Sequence, residues 1–412
     1  MAYVIGNLLV LRKTPEGPIA PHIGPFAYFI SAQGYALSST HRQVRLAACF
    51  SRWINQQRVE LHRVSADHAK RYLRYRARRV RPCRGDAAAL RHLFAFLRSE
   101  ALIPAKKVEN PHLTPVERCT QAYEQHLREA RALADTTILN YVPFIHRFLK
   151  GRFGAGPVDL ARLCARDVVR FVQRQAPRFH GKRAKLMTSA LRSFLTYARF
   201  RGEVALDLAA AVPAVANWSM PSIPRAISAD QVQQLLASID RHTAIGRRDY
   251  AILLLLARLG LRSGEVALLE LDDIDWHAGT LSVRGKGGSH NEFPLPLEVG
   301  EAITAYLCNG RPASTSRRVF LRARAPVRGF EGASGVGSVV RHSLQHAGIN
   351  APTWGAHQFR HGLATELLRQ GASLDEIGEV LGHRHPQTTK IYTKVDLEAL
   401  RALALPWPGG AR

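Results

Sequence analysis

Before residue 212, apolar positions recur at helical spacing, as at Tyr141, Phe144, Ile145 and Phe148, and β-branched runs are few. That period predicts helices with one buried face, and the segments 1–105 and 113–211 are each expected to form a small bundle of about four helices. Between them Pro104, Lys106, Lys107, Pro111 and Pro115 interrupt the pattern, and Pro213, Pro221 and Pro224 mark a linker over 212–225. The linker gives way to Ser228-Ala-Asp-Gln231, a capping box ahead of Val232, Leu235, Leu236 and Ile239, which opens a region 226–412. There the pattern is mixed. Helices are predicted over Tyr250–Leu259 and Ser263–Leu271, and a β-hairpin over Thr280–Leu297 around Gly285-Lys286-Gly287-Gly288. Further helices are expected at 335–347, 357–370, 373–381, 386–392 and, as a C-terminal tail helix, 394–403. The expected fold class is multidomain: all-α helical domains followed by a mostly helical α+β domain with a small β-hairpin or sheet.

The two early segments resemble each other at an offset of about 95 to 101 residues. Phe26-Ala-Tyr28 parallels Gln121-Ala-Tyr123, and Ala89-Leu-Arg91 parallels Ala190-Leu-Arg192. A diverged repeat is expected.

Charge changes the picture. The 412 residues carry a formal net charge of +26, and 58 Lys+Arg face 32 Asp+Glu. The excess is +13 in residues 1–110, +10 in 111–225 and only +3 after that. Such a balance points to a polyanionic partner for the first half of the chain. From Lys70 to Arg84, eight of fifteen residues are basic: Lys70, Arg71, Arg74, Arg76, Arg78, Arg79, Arg81 and Arg84, with Tyr72 and Tyr75 between them. Without acidic partners such a run repels itself unless phosphates neutralise it, so it is expected to face double-stranded DNA. A second series, Arg162, Arg166, Arg170, Arg174 and Arg178, recurs every four residues as a stripe on one helix face, followed by Lys182, Arg183 and Lys185.

The longest apolar run, Ala251–Ala257, falls short of the roughly 20 residues of a membrane span, and the first residues lack a signal-peptide pattern. No membrane partner and a cytoplasmic, nucleoid-associated location are expected. Cys49, Cys83, Cys119, Cys164 and Cys308 form no C-x-x-C and are expected to be buried small residues.

Five motifs stand in order after residue 226: Gly260-Leu-Arg262-Ser-Gly-Glu265, Lys286 on the hairpin, His357-Gln-Phe-Arg360-His361, Leu381-Gly-His383, and Tyr392 nine residues later. In this order and spacing the chain resembles the catalytic domain of the tyrosine recombinases, the phage-integrase family. Residues 113–205 are similar to that family's core-binding, SAM-like domain. The resemblance implies a site-specific DNA recombinase or integrase, acting through a 3′-phosphotyrosyl intermediate as a homo-oligomer, a tetrameric synapse on two DNA sites, with sister recombinases as further partners. Carried over by motif, Arg262 and Arg360 match the catalytic arginines, Lys286 the hairpin lysine, His357 and His383 the histidines, and Tyr392 the nucleophile. Glu265 matches an acid that supports the first arginine. Beyond Lys286 the chain departs from the pattern, with Gly288, Ser289, His290, Asn291 and Glu292 where further basic residues are common.

These residue types suit the chemistry. A phenol with pKa near 10 needs a proton acceptor and a cationic site to attack a phosphodiester, and His357 is a natural candidate to take the proton or to hydrogen bond. Two guanidiniums hold the non-bridging oxygens through fork-shaped contacts, and Lys286 can protonate the leaving 5′-oxygen. Ester exchange of this kind needs no cofactor: neither ATP nor metal is expected. His361, Arg384 and His385 are expected to be structural or on the surface. The pair His357 and His361, four apart, also fits a zinc site, but Gln358 stands where a metalloprotease has Glu, and Arg360 opposes a dication. Alternatives are a catalytically inactive DNA-binding accessory protein of a mobile element, which the intact residue set disfavours, and a type IB topoisomerase.

Overall fold

The computed structural model describes residues 3–104, 113–215, 224–285, 290–383 and 385–395. They fall into two compact units, one comprising 1–106 with 222–412 and the other 107–221.

The first unit begins with a hairpin of β1 (Tyr3–Ile5) and β2 (Leu9–Leu11), in which Tyr3 pairs with Leu11 and Ile5 with Leu9. This hairpin is absent from the all-helical expectation. Its turn opens at Gly6, whose φ of +48° suits glycine. Four helices follow: α1 (Ile23–Ala32), α2 (Leu37–Gln56), α3 (Ala66–Ala77) and α4 (Asp86–Ser99). Their apolar stripes meet in one core that includes Phe26, Ile30, Val44, Phe50, Leu93 and Leu97.

The second unit carries α5 (Pro115–Glu129), α6 (Asp135–Phe153), α7 (Ala165–Gln175) and α8 (Gly181–Phe200). Pro115, read above as a breaker, instead opens α5: its missing N–H is no loss at the first helical position, and Thr114 caps the helix reciprocally with Glu117. The core gathers Tyr123, Ile145, Phe148, Val168, Met187, Leu191 and Phe194. Phe26-Ala-Tyr28 and Gln121-Ala-Tyr123 lie on the first helix of each group of four, and Ala89-Leu-Arg91 and Ala190-Leu-Arg192 on the fourth.

The rest of the first unit is α9 (Ala229–Ala237), α10 (Ala244–Arg258), α11 (Ser263–Leu268), an antiparallel sheet of β3 (Ile274–Asp275), β4 (Thr280–Arg284) and β5 (His290–Pro294), then α12 (Leu297–Asn309), α13 (Ala333–His346), α14 (His357–Arg369), α15 (Leu374–Val380) and the short α16 (Pro386–Thr389). The hairpin expected over Thr280–Leu297 is β4–β5, with Arg284 opposite His290. Helix α10 is apolar nearly all round and buried all round from Ala251 to Leu256. Each buried leucine there contributes roughly 1.5 to 3 kcal/mol, so α10 is the post against which α11, α12, α13 and α14 are set. Ser228 caps α9 as expected, accepting from the Gln231 N–H at 3.2 Å. Among the described residues no helix is long and apolar enough to cross a membrane.

The expected buried cysteines are a correction. Cys49, Cys83, Cys164 and Cys308 are exposed and Cys119 is half-buried. Cys49 lies on the outer face of α2, Cys83 in the α3–α4 connection, Cys164 at the N-cap of α7 and Cys308 in the last turn of α12, none of them on a core-facing stripe.

Candidate active site

Helix α11 is too short to be stable by itself, and its start is set by a side chain. Glu265 accepts from the backbone N–H of Arg262 at 2.7 Å and from the Arg262 guanidinium at 2.7 Å. The carboxylate is buried, whereas the Arg262 side chain keeps 34% of its surface exposed. One carboxylate thus caps the helix and aims the guanidinium, leaving its far side open to a ligand.

Arg360, in the first turn of α14, is buried. Its Nη1 donates to the Gly260 carbonyl at 2.8 Å, and its Nη2 donates to the Leu381 carbonyl. Gly260 has φ +59°, and a Cβ there would meet the Leu381 and Leu363 side chains at 2.9 and 3.0 Å. Only glycine gives the chain that turn and that approach. Two of the five N–H donors of a guanidinium are therefore structural here, and three remain. Burial, with Arg262 adding to it against Glu265, pushes Arg360 down to about 10, which still leaves a cation at neutral pH.

Tyr392 was expected on a helix over 386–392. It lies instead on tight 3-10 turns, Lys390–Val395, after α16 ends at Thr389. Its ring is buried against Ala364, Ile377 and Leu381. The phenol oxygen is 3.0 Å from Nδ1 of His361, and the two rings meet edge to face. Burial pushes the phenol up to about 12, against the pull of Arg360 and Arg262. It is protonated at rest.

His361, expected to be structural, thus bonds the phenol of Tyr392. The signal was present: it stands four residues after His357, so both rings share a face of α14, with centroids 6.0 Å apart. His385 is exposed, as expected. His383 follows the left-handed Gly382 at the end of α15, and its Nδ1 is 2.8 Å from Oγ1 of buried Thr389, a second contact the motif reading did not include. Burial first, then Arg360, Arg262 and His361, push His383 down to about 4.

The depressed histidine makes a checkable statement. Folded His383 resists the proton that the unfolded chain takes up near pH 6.5, so stability from this group is lost as pH falls from about 6.5 toward 4. Thermal melts between pH 7 and 5 should fall more steeply for the native chain than for His383→Asn. The difference is bounded by one proton, about 1.4 kcal/mol per pH unit, and reduced because the ring is half exposed. Equal slopes would show that the ring is protonated as readily in the folded chain.

Lys286 lies in residues 286–289, outside the described residues, as do Arg384 and the predicted tail helix beyond residue 395. Arg262, Glu265, Arg360, His357, His361, His383 and Tyr392 come together around the N-terminus of α14, the end of α15 and the turn after α16.

The basic candidates divide. Lys70, Arg71 and Arg74 are exposed on α3, and Arg78, Arg79, Arg81 and Arg84 follow it, also exposed. The run does have acidic partners. Arg76 pairs with the buried Asp86 at 3.3 Å, tying α3 to α4, and Lys70 pairs with Asp67 at 3.1 Å. Arg79 stacks over Tyr75. The predicted five-arginine stripe is shorter than expected: Arg166, Arg170 and Arg174 lie exposed on α7, while Arg162 and Arg178 sit on separate 3-10 turns before and after it. Lys182, Arg183 and Lys185 are exposed on the first turns of α8.

The family model described as the phage integrase family matches residues 225–398, and that of the phage integrase N-terminal SAM-like domain matches 120–202. A Sinorhizobium fredii protein named as an integrase/recombinase, y4rA, is 59% identical over the whole of both chains. The tyrosine recombinase XerD of Mycobacterium tuberculosis is 33% identical over 70% of this chain and 96% of its own. Among solved structures, XerH site-specific recombinase bound to its palindromic difH substrate superposes with a TM-score of 0.55 at 19% identity, over 76% of this chain and 94% of that one. A lambda integrase dimer bound to a COC′ core site gives 0.52 at 15%, over 79% and 89%. The two share the fold. By its full-length relative and its two matched regions, the chain belongs to the phage integrase family, the tyrosine recombinases.

Proposed function

We propose that this chain is a site-specific DNA recombinase that cuts and rejoins strands through a phosphotyrosyl ester at Tyr392. The observation that carries the reading is the convergence of two arginines and a histidine-bonded tyrosine in one site: Arg262 fixed by Glu265, Arg360 fixed by two carbonyls, and Tyr392 held by His361.

In the step proposed, the Tyr392 oxygen attacks the scissile phosphorus and its proton passes to Nδ1 of His361, the base within hydrogen-bond reach. Arg262 and the three remaining donors of Arg360 take the charge that grows on the non-bridging oxygens. Nδ1 of His383 bonds the Thr389 hydroxyl, and in the tautomer with the ring proton on Nε2 the neutral imidazole can donate to a phosphate oxygen. His357, on the same face of α14 as His361, supplies a further hydrogen bond. The bond from phosphorus to the 5′-oxygen breaks, and that oxygen takes a proton from Lys286. The 3′-phosphotyrosyl ester is then resolved by the 5′-hydroxyl of another strand in the reverse of the same step.

One ester replaces another of similar energy, and the step uses no cofactor. Segment 113–211 acts as the core-binding domain and 1–105 as a further DNA-contacting module, a diverged repeat of it, joined through the 212–225 linker to the catalytic region 226–412. Lambda integrase has been solved as a tetramer bound to a Holliday junction. By analogy this chain works as a tetramer on two double-stranded sites, in the cytoplasm on the nucleoid, in the integration or transposition of a mobile element.

The test begins with sequencing the DNA junctions that the chain makes in cells, which defines its site. A duplex carrying that site should then give a covalent protein–DNA adduct in EDTA, with the DNA remnant on the Tyr392 peptide. A strict need for divalent metal, or an adduct on another residue, would overturn the reading.

A further inference from the structure

We infer that residues 1–106 hold a phosphate-binding groove, built between β2 and the outer face of α2, that grips the backbone of duplex DNA flanking the recombination site. The inference rests on the reading that this chain acts on DNA.

The groove, of about 390 Å³, is lined by Arg12, Lys13, His41, Arg45, Cys49 and Arg52. It lies outside the regions matched by the family models and outside the Lys70–Arg84 run. Arg42, Arg45, Cys49 and Arg52 stand at intervals of three, four and three residues, hence on one face of α2 over about 15 Å. A strand presents one phosphate per roughly 3.4 Å of duplex axis, so a face of that length meets several phosphates.

The walls are fixed before any ligand arrives. Ser51, fully buried, donates to the Glu16 carbonyl at 2.7 Å and accepts from the Ile19 N–H at 3.1 Å, pinning the segment after β2 to α2. Gly17, at φ +94°, allows that close approach, since a Cβ there would collide with the Ser51 carbonyl. His41 bonds the Val10 carbonyl at 3.3 Å, tying the hairpin to the helix. The backbone of the groove therefore needs little ordering on binding.

The groove is cationic and largely uncompensated. Glu16 pairs with Arg52 at 3.3 Å at one end. Among the described residues no carboxylate lies within ion-pair distance of Arg12, Lys13, Arg42 or Arg45, and all four are exposed. In the Lys70–Arg84 run Lys70 and Arg76 are likewise paired, with Asp67 and Asp86.

Two exposed cysteines make the test specific, because Cys49 lies in the groove and Cys83 within the Lys70–Arg84 run. The full chain is alkylated with N-ethylmaleimide, alone and saturated with a duplex carrying the site and long flanks, and each cysteine is followed by peptide mass spectrometry. Cys49 should be protected several-fold by the long duplex and not by one trimmed to the core site. The double charge reversal Arg12→Glu with Arg45→Glu should lower the salt slope of long-duplex binding by about 2, at roughly 0.9 for each phosphate that is no longer neutralised. It should also abolish the affinity that flanking DNA adds over the trimmed duplex, with the far-UV spectrum unchanged.

Protection of Cys83 without Cys49 would place the DNA on the α3–α4 connection and overturn the groove. So would unchanged salt slopes, or protection of Cys49 by an acidic protein but not by DNA. Binding of the trimmed duplex with no gain from the flanks overturns the groove alone, whereas failure to bind any duplex removes the functional reading as well.

Discussion

Tyr392→Phe should abolish covalent capture of a site-bearing duplex while leaving its affinity within about twofold. The substitution removes one oxygen, and that oxygen is both the proposed nucleophile and the partner of His361 at 3.0 Å. The hydroxyls described nearby are engaged: Thr389 with His383, Thr365 with the His361 carbonyl and Thr393 with the Lys390 carbonyl. Phosphate contacts dominate affinity for DNA, and none of the exposed basic residues on α3, α7 or α8 is touched by the change. The cost to the fold is that of one hydrogen bond, about 1 kcal/mol, because the phenyl ring still fills the pocket formed by Ala364, Ile377 and Leu381. The companion substitution His361→Gln separates the two candidate bases. If His361 takes the phenolic proton, cleavage falls by roughly 10² to 10⁴ with binding retained, as for loss of a general base. If His357→Gln has that effect and His361→Gln does not, the proton goes to His357 and His361 only positions the ring. An adduct formed equally well by Tyr392→Phe would remove the tyrosine from the mechanism altogether.

Why so much of the site is legible in the primary structure, and some of it is not, follows from where each residue sits. Arg262 and Glu265 are three apart across a helix start, a spacing that forces a carboxylate onto the first-turn N–H groups, and the structure has that contact. Arg262 and His383 follow breaks at Gly260 and Gly382, both left-handed, so glycines in the motifs report real turns. The position of His361 beside His357 is legible by spacing but its bond to Tyr392 is not, because that partner lies thirty-one residues away on a 3-10 turn that periodicity does not distinguish from a helix. The N-terminal hairpin escaped for a related reason. Strands of three residues carry too little alternation to register, although Gly6-Asn7 between apolar residues is a turn signal. The ion pair inside the Lys70–Arg84 run is not legible, because Asp86, two residues beyond it, reaches back to Arg76 only once α3 and α4 are packed.

For Arg360, the expected outcome of substitution is a double loss that Arg262 does not share. Arg360→Lys should cut cleavage by roughly 10² to 10³, the effect of removing a charge-stabilising donor from a transition state. The same variant should melt measurably lower. The native guanidinium reaches two carbonyls on opposite sides, Gly260 and Leu381, and an ammonium on a flexible stem can satisfy one of them. The other is left buried and unpaired, at a cost of about 1 to 3 kcal/mol. Since Gly260 opens the turn that carries Arg262, and Leu381 precedes the turn that carries His383, that loss also loosens two other members of the site. Arg262→Lys should show a comparable loss of cleavage with little change in melting, because its side chain is a third exposed and a lysine can keep the charge opposite Glu265. Cleavage rates measured beside thermal melts for both variants decide the matter. Equal melting losses would mean that the two carbonyl contacts contribute nothing to the fold, and near-native cleavage by Arg360→Lys would mean that its remaining donors do not hold the phosphate.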